Sequence, residues 1–287
     1  MDVILDLDLD FFVWPIFHDR KGPKRVHPSR ISKLYSEQET RLFLEQGCGL
    51  STENPVYCEE VEEHDEAFDV WRIWLKDGSL RAPFKVIHVD AHADQGIGDR
   101  SWRYLLTEFL CLPLSERANP PRGKDRMNAG NYLMFAVANR WLESLMYVHP
   151  TNPAPPLERP VYDPDTKTYT ASSLQALHFF TDFEQAEPPD TQDLIPQFYR
   201  DGNISTNLIE LCCRDPGTNF NKTLGTPIHK EPPVSFERVP DTKFRFRGFS
   251  HMVIARSPGY TPKAADKLMP IIREYVRHPF QRIKIEV

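Results

Sequence analysis

Phe84-Lys-Val-Ile-His88-Val-Asp90-Ala-His92-Ala-Asp94 is the stretch on which the reading of this chain turns. Behind Pro83 it opens as an unbroken apolar run and closes as a polar cluster, the profile of a strand buried on both faces of a parallel sheet. In such sheets the carboxyl ends of the strands open onto the ligand crevice. If the chain stays extended, the spacing of two brings Asp90, His92 and Asp94 to one side, so two carboxylates and an imidazole converge. Mixed His/Asp ligation suits Mn²⁺, Fe²⁺ or Zn²⁺, whereas Ca²⁺ and Mg²⁺ favour oxygen alone.

A second stretch, Val3 to Phe12, reads as another strand, with Asp6, Asp8 and Asp10 alternating against Leu5, Leu7 and Leu9. Its apolar neighbours argue for a central, buried strand, and carboxylates on one face of such a strand repel one another unless a cation neutralises them or some are protonated. A third, Glu62-Glu63-His64-Asp65-Glu66, precedes a helix expected over Asp65–Trp74 and offers one more imidazole. Further helices are expected over Glu37–Glu45, Asn128–Met146 and Pro262–Arg277. Strands are expected at His251–Arg256 and Ile283–Val287, with short candidates at Tyr147–Val148, Ser173–Thr181 and Leu208–Cys212. Strands alternating with helices make an α/β fold with a mainly parallel sheet.

Composition sets the bounds. The 287 residues carry 35 Lys+Arg and 41 Asp+Glu, a net charge of 35 − 41 = −6, which argues against nucleic acid or an anionic membrane as the main partner. Five cysteines with no CxxC pair disfavour a zinc ribbon or a disulfide framework and fit a reducing compartment. The acidic N-terminus lacks the basic start of a signal peptide, and no window nears the roughly 18 apolar residues of a membrane span, so a cytoplasmic location is expected. The 26 prolines are well above the usual ~5% and imply long, stiff loops. The chain reads as one domain, 1–287, with Pro-rich insertions at about 15–35 and 150–245.

Taken together the motifs resemble a known family. Asp90-Ala-His92-Ala-Asp94 matches the Asp-Ala-His-x-Asp signature of arginases, agmatinases and related ureohydrolases, and Asp8-Leu-Asp10 is similar to their Asp-x-Asp. Asp6-Leu-Asp-Leu-Asp-Phe-Phe12, Glu62-Glu-His-Asp-Glu-Ala-Phe68, Asn128-Ala-Gly-Asn131 and Ile254-Ala-Arg-Ser-Pro-Gly-Tyr-Thr-Pro262 look closest to a divergent arginase-like family. That family includes peptide arginases, which convert arginine to ornithine in ribosomal precursor peptides. The resemblance implies a three-layer α/β/α fold of the arginase/deacetylase kind and a binuclear manganese site. One ion would be held by His64, Asp90, Asp94 and Asp8, the other by His92, Asp90, Asp8 and Asp10. Asp10 and His92 would take part in catalysis, Asp6 and His88 would support the ligands, and Asn131 would lie near a substrate-contacting loop.

Two departures from the family stand out. The Asp-x-Asp strand here opens the chain instead of following the Asp-Ala-His-x-Asp strand, which implies a rearranged strand order. The histidine that arginases carry beside their substrate loop has no match in Asn128-Ala-Gly-Asn-Tyr-Leu-Met134, leaving His88 and His251 as the spare imidazoles. Glu210, Asp182 and Glu184 are the carboxylates available to meet a guanidinium. The expected function is hydrolysis of arginine side chains in a peptide, with urea released. The rival readings are a ureohydrolase for a free guanidino compound, a Mg-dependent phosphatase of the haloacid-dehalogenase type, a deacetylase-like amidohydrolase and a metal-stabilised binding protein. The segment Arg20-Lys-Gly-Pro-Lys-Arg25 and the Pro150–Pro160 loop are the candidate walls of a peptide groove.

Overall fold

The computed structural model describes residues 1–17, 25–95, 101, 104–105, 108–151, 161–163, 168–170 and 234–277. Apolar runs lacking turn residues become strands, and the described strands are β1 (Val3–Asp8), β2 (Val13–Trp14), β3 (Lys33–Leu34), β4 (Val56–Val61), β5 (Phe84–Val89), β6 (Leu142–His149), β7 (Val161–Asp163), β8 (Thr168–Thr170), β9 (Ser235–Pro240), β10 (His251–Ala255) and β11 (Val276–Arg277). The α-helices are α1 (Glu37–Leu42), α2 (Glu66–Asp77), α3 (Tyr132–Ala138) and α4 (Met269–Arg273).

Seven strands form one sheet in the order β11-β4-β10-β1-β5-β6-β9, so β1 lies at its centre. The chain pairs in parallel from β11 through β4, β10 and β1 to β5. Leu5 is in register with both Met252 and Ile87, and Asp6 with both Val253 and His88. Because side chains alternate along a strand, this register sorts two faces. Leu5, Leu7, Ile87, Val89, Met252 and Ile254 enter one apolar cluster with Ile271 and Ile272 of α4 and Leu44 beyond α1. Each such leucine contributes roughly 2 kcal/mol by leaving water.

The opposite face carries Asp6 and His88, and α2 covers it. Trp74 of α2 sits 4.8 Å from the His251 ring and 5.5 Å from Tyr57, while Trp71 meets Phe84 edge-on at 5.8 Å. The crossover from β1 to β4 runs one way across the sheet with α1 on the first face. The crossover from β4 to β5 runs the other way with α2 on the second, as a single handedness requires. The expected α/β fold with a mainly parallel sheet and rearranged strand order is thus borne out.

Residues 1–92, 144–155 and 237–287 make one compact unit and 93–143 and 156–236 a second. In the second, the buried Arg117 guanidinium donates to the carbonyls of Leu110, Leu112 and Ala138, and Phe109 packs edge-on against Phe135 of α3. β7 and β8 pair antiparallel.

Several expected elements differ in extent. The strand expected over Val3–Phe12 ends at Asp8, and Leu9–Phe12 coil into a 3₁₀ turn. The helix expected over Asn128–Met146 is cut to Tyr132–Ala138, and Leu142–Met146 belongs to β6. The helix expected over Pro262–Arg277 is a 3₁₀ segment, Lys263–Leu268, then α4 and the short β11. β4 was not anticipated. The candidates at Ser173–Thr181, Leu208–Cys212 and Ile283–Val287 lie outside the described residues.

Candidate metal centre

Two neighbouring strands end the same way. Asp8 closes β1 and its Oδ1 accepts the Asp10 N–H at 2.9 Å; Asp90 follows β5 and its Oδ1 accepts the His92 N–H at 2.6 Å. Each aspartate satisfies the amide two residues on, which bends the chain out of the sheet and turns its second oxygen inward. The spacing of two, first read as extended strand, therefore works here as a pair of turns. The Ala91 N–H donates to Asp10 Oδ1 at 3.3 Å and ties the turns together.

His64 arrives from the turn between β4 and α2. Glu66 Oε2 accepts the N–H groups of Glu62 and Glu63 at 2.8 and 3.2 Å, and the His64 carbonyl accepts the Ala67 N–H at 3.0 Å. The buried imidazole then sets Nδ1 at 2.8 Å from Asp90 Oδ2 and 3.1 Å from Asp8 Oδ2, with Nε2 3.3 Å from Asp6 Oδ1. Asp6 Oδ2 lies 2.9 Å from His88 Nδ1. One carboxylate thus orients two imidazoles, which stack with centroids 5.1 Å apart.

His88 and His92 differ in what their rings face. His88 Nε2 is 3.1 Å from the His92 carbonyl, which only accepts, so that nitrogen carries a proton, and Nδ1 faces Asp6. Both ring nitrogens of His88 thus face oxygen acceptors. His92 Nε2 donates to the Phe17 carbonyl at 3.0 Å, while its Nδ1 lies 2.9 Å from Asp10 Oδ2 and 3.6 Å from Asp90 Oδ1. A proton held on one nitrogen leaves the other's lone pair for a cation. The His92 side chain is 19% exposed against 2% for His64, so the two imidazoles sit at different depths.

Two groups of ligand atoms emerge, each within 4.8 Å: His64, His88, Asp90 and Asp94; and Asp10, Asp90 and His92. Asp90 belongs to both. Asp94, on the segment that follows, reaches its group from a left-handed backbone (φ 46°), a conformation aspartate tolerates. Asp10 Oδ2 and Asp90 Oδ2 are buried and make no aligned hydrogen bond despite these short approaches. Two carboxylates about 4 Å apart repel by about 4 kcal/mol at an effective dielectric near 20. Buried carboxylate oxygens gathered without aligned hydrogen bonds match what a shared cation needs, so the residues fit a metal site.

The carboxyls respond in opposite directions. Burial lifts Asp10, and the charges of Asp8 and Asp90 lift it further, well above the ordinary range. Burial also works against ionised Asp90 and Asp6, but His64, His92 and His88 overcome it at Asp90, which is held well below the ordinary range. His64 and His88 likewise bring Asp6 down to about 2. Burial opposes charge on His92 too, yet Asp10 and Asp90 raise it well above the usual imidazole range.

Not every expected site residue joins the cluster. Asp8, expected to hold both ions, is in neither group, its two oxygens being taken by the Asp10 N–H and the Ser257 hydroxyl, whereas His88, expected only in support, is in the first. Asn131 is buried at the start of α3, where its amide donates to Ser101 Oγ and the Arg126 carbonyl and its oxygen accepts the Asn128 N–H. Those bonds organise its own loop. His251 opens β10 at the amino end of the sheet, hydrogen-bonded to Ser250 and packed against the Tyr57 and Trp74 rings, away from the strand ends that gather the candidate ligands. Glu210, Asp182 and Glu184 lie outside the described residues, as do most of Arg20–Arg25 and of the Pro150–Pro160 loop. Sequence reasoning quoted the segment holding Ser257 but gave its hydroxyl no part; in the structure Ser257 Oγ donates to Asp8 Oδ2.

No protein-family model matches the sequence, and neither a curated protein nor a solved structure does.

Proposed function

We propose that the protein is a manganese-dependent hydrolase of guanidinium groups, converting arginine residues of a peptide to ornithine with release of urea. The observation that carries this reading is the sharing of Asp90 by two His/Asp groups at adjacent parallel strand ends. A shared carboxylate between two imidazole-bearing groups suits a pair of divalent ions; mixed nitrogen and oxygen donors suit Mn²⁺, Fe²⁺ or Zn²⁺, and the likeness of the motifs to arginases favours manganese among them. Asp8, His64, Asp90 and Asp94 would hold one ion, and Asp8, Asp10, Asp90 and His92 the other. When bound, the ion pair supplies a water-derived nucleophile at neutral pH and charge to hold a tetrahedral intermediate.

The chain's own groups do the rest. Asp6 fixes the ring of His64, so the nitrogen facing Asp8 and Asp90 stays in place. The Phe17 carbonyl does the same for His92. Asp10, beside His92 Nδ1, would take the proton that the attacking water loses as the carbon–oxygen bond forms, and pass it to the departing side-chain nitrogen when the carbon–nitrogen bond then breaks. The peptide as substrate rests on the likeness of the motifs to peptide arginases.

Urea release and peptide mass test this reading. With manganese present, an arginine-containing peptide should lose the mass of CN₂H₂ and yield equimolar urea, and His92→Ala should abolish both. Brisk turnover of free arginine with none of the peptide would overturn the peptide substrate. No urea from either would overturn the reaction class.

A further inference from the structure

The segment Arg256-Ser-Pro-Gly-Tyr-Thr261, which follows β10, has no part in the reaction as described. Three of its contacts converge on the site. Ser257 Oγ donates to Asp8 Oδ2, the oxygen that also faces His64 Nδ1. The Ser257 N–H donates at 2.9 Å to the Glu62 carbonyl, two residues before His64. Tyr260 sets its ring 5.0 Å from that of His92. The turn is closed on itself by the Tyr260 and Thr261 N–H groups and by Thr261 Oγ1, all donating to the Ser257 carbonyl. Arg25 and Asp266 hold it from outside, since Arg25 donates to Thr261 Oγ1 at 2.7 Å and pairs with Asp266 at 2.9 Å.

Ser257 adopts φ 43°, a left-handed conformation that costs a non-glycine residue energy and that glycine would take freely. A turn that needed only this backbone would be served better by glycine. Serine adds one thing there, a hydroxyl on Asp8. With Oδ1 of Asp8 engaged by the Asp10 N–H, the hydroxyl fixes the remaining oxygen, and the carboxylate loses its rotation.

We propose that Ser257 is a positioning residue of the metal centre: its buried hydroxyl holds Asp8 in ligating orientation, and the strained turn exists to place that hydroxyl. The inference rests on the metal-centre reading above. Supporting groups of this kind typically change metal affinity by roughly 10–100-fold when lost.

Ser257→Gly and Ser257→Ala in the full-length protein separate hydroxyl from backbone. Manganese dissociation constants from titration, thermal midpoints in EDTA and urea release at rising manganese are the readouts. The expected result is a manganese dissociation constant raised at least tenfold in both variants, with the EDTA midpoint of Ser257→Gly at or above the native one, and urea release recovered by excess manganese. If Ser257→Gly binds manganese as the native protein does, the hydroxyl has no role and the proposal fails, whatever Ser257→Ala shows. If Ser257→Gly fails to recover at saturating manganese, the residue acts otherwise than through metal affinity and the proposal also fails. If the native protein binds no manganese, the metal-centre reading itself falls, which the native titration shows separately.

Discussion

Asp6 bears on two imidazoles at once, and its substitution separates support from ligation. Asp6→Asn keeps the shape but removes the charge that orients His64 and His88, so manganese affinity should fall by roughly 10–100-fold while the fold persists. In the metal-free protein Asp6 has a folded pKa of about 2, below its ordinary 3.8. A depressed carboxyl stabilises the fold above its unfolded pKa and loses that contribution as pH falls towards the folded value. The gap between native protein and Asp6→Asn in EDTA should therefore be on the order of 2 kcal/mol at pH 6 and close between about pH 4 and 2, by chemical denaturation at each pH. His88, raised by Asp6 and Asp90 against its burial, contributes with the opposite sign, its share being lost as pH climbs past its folded value.

Glu59 on β4 gives a prediction away from the metal. It is buried in register with Val253, its Oε1 has no hydrogen-bond partner among the described residues, and burial followed by the charge of Glu60 lifts it to about 7. A raised carboxyl favours the fold below its unfolded pKa and opposes it as pH rises through the folded one. Glu59→Gln should thus leave stability near pH 4.5 unchanged and raise it at pH 8 by on the order of 1 kcal/mol, after discounting for solvent screening. Equal midpoints at pH 8 would contradict the assignment. At this scale Asp10, Asp90, His92 and Asp94 were legible, because acids beside histidines in apolar surroundings have few inexpensive alternatives, and all four fall in the two groups; His64, in an acidic run that imitates a solvated surface, was named only through the family likeness. Ser257 was not legible, because a hydroxyl at a strand end carries no charge pattern to betray its partner.

Elements show where local pattern stops informing. The helix expected over Glu37–Glu45 is α1, which Ser36 and Glu39 open with a reciprocal capping box and which widens into a π turn at Phe43–Gly47. Ser36→Ala should cost about 1 kcal/mol and leave manganese binding unchanged, because it removes a cap remote from the ligands. Leu7→Ala, by contrast, empties a fully buried position of the central strand and should cost about 3 kcal/mol by thermal or denaturant unfolding. The 128–146 stretch misled because every residue of Tyr132–Ala138 is buried, leaving no polar face to mark where the helix ends and β6 begins. β4 was hidden by Glu59 and Glu60, two charges in a row that imitate a solvated loop.

For the molecule as a whole, the sheet order explains how ligands scattered along the chain meet. β1 begins the chain yet sits between β10 and β5, so Asp8, Asp90 and Ser257 arrive at one end from three neighbouring strands, and the β4–α2 turn adds His64. That pairing could not be read from sequence, since parallel strands joined by long crossovers carry no turn signal to fix their neighbours. The negative charge of the chain also looks different once these aspartates are set apart as buried groups facing histidines. Among the described residues, no helix is long and apolar enough to cross a membrane.

One carboxylate, Asp90, joins the two candidate metal-binding groups. Counting manganese bound per chain after equilibrium dialysis tests it most directly, in the native protein and in Asp90→Ala of verified fold. Two ions should bind each native chain, one for each group, and Asp90→Ala should lose both. Two ions retained by Asp90→Ala, or none bound by the native protein, would contradict it.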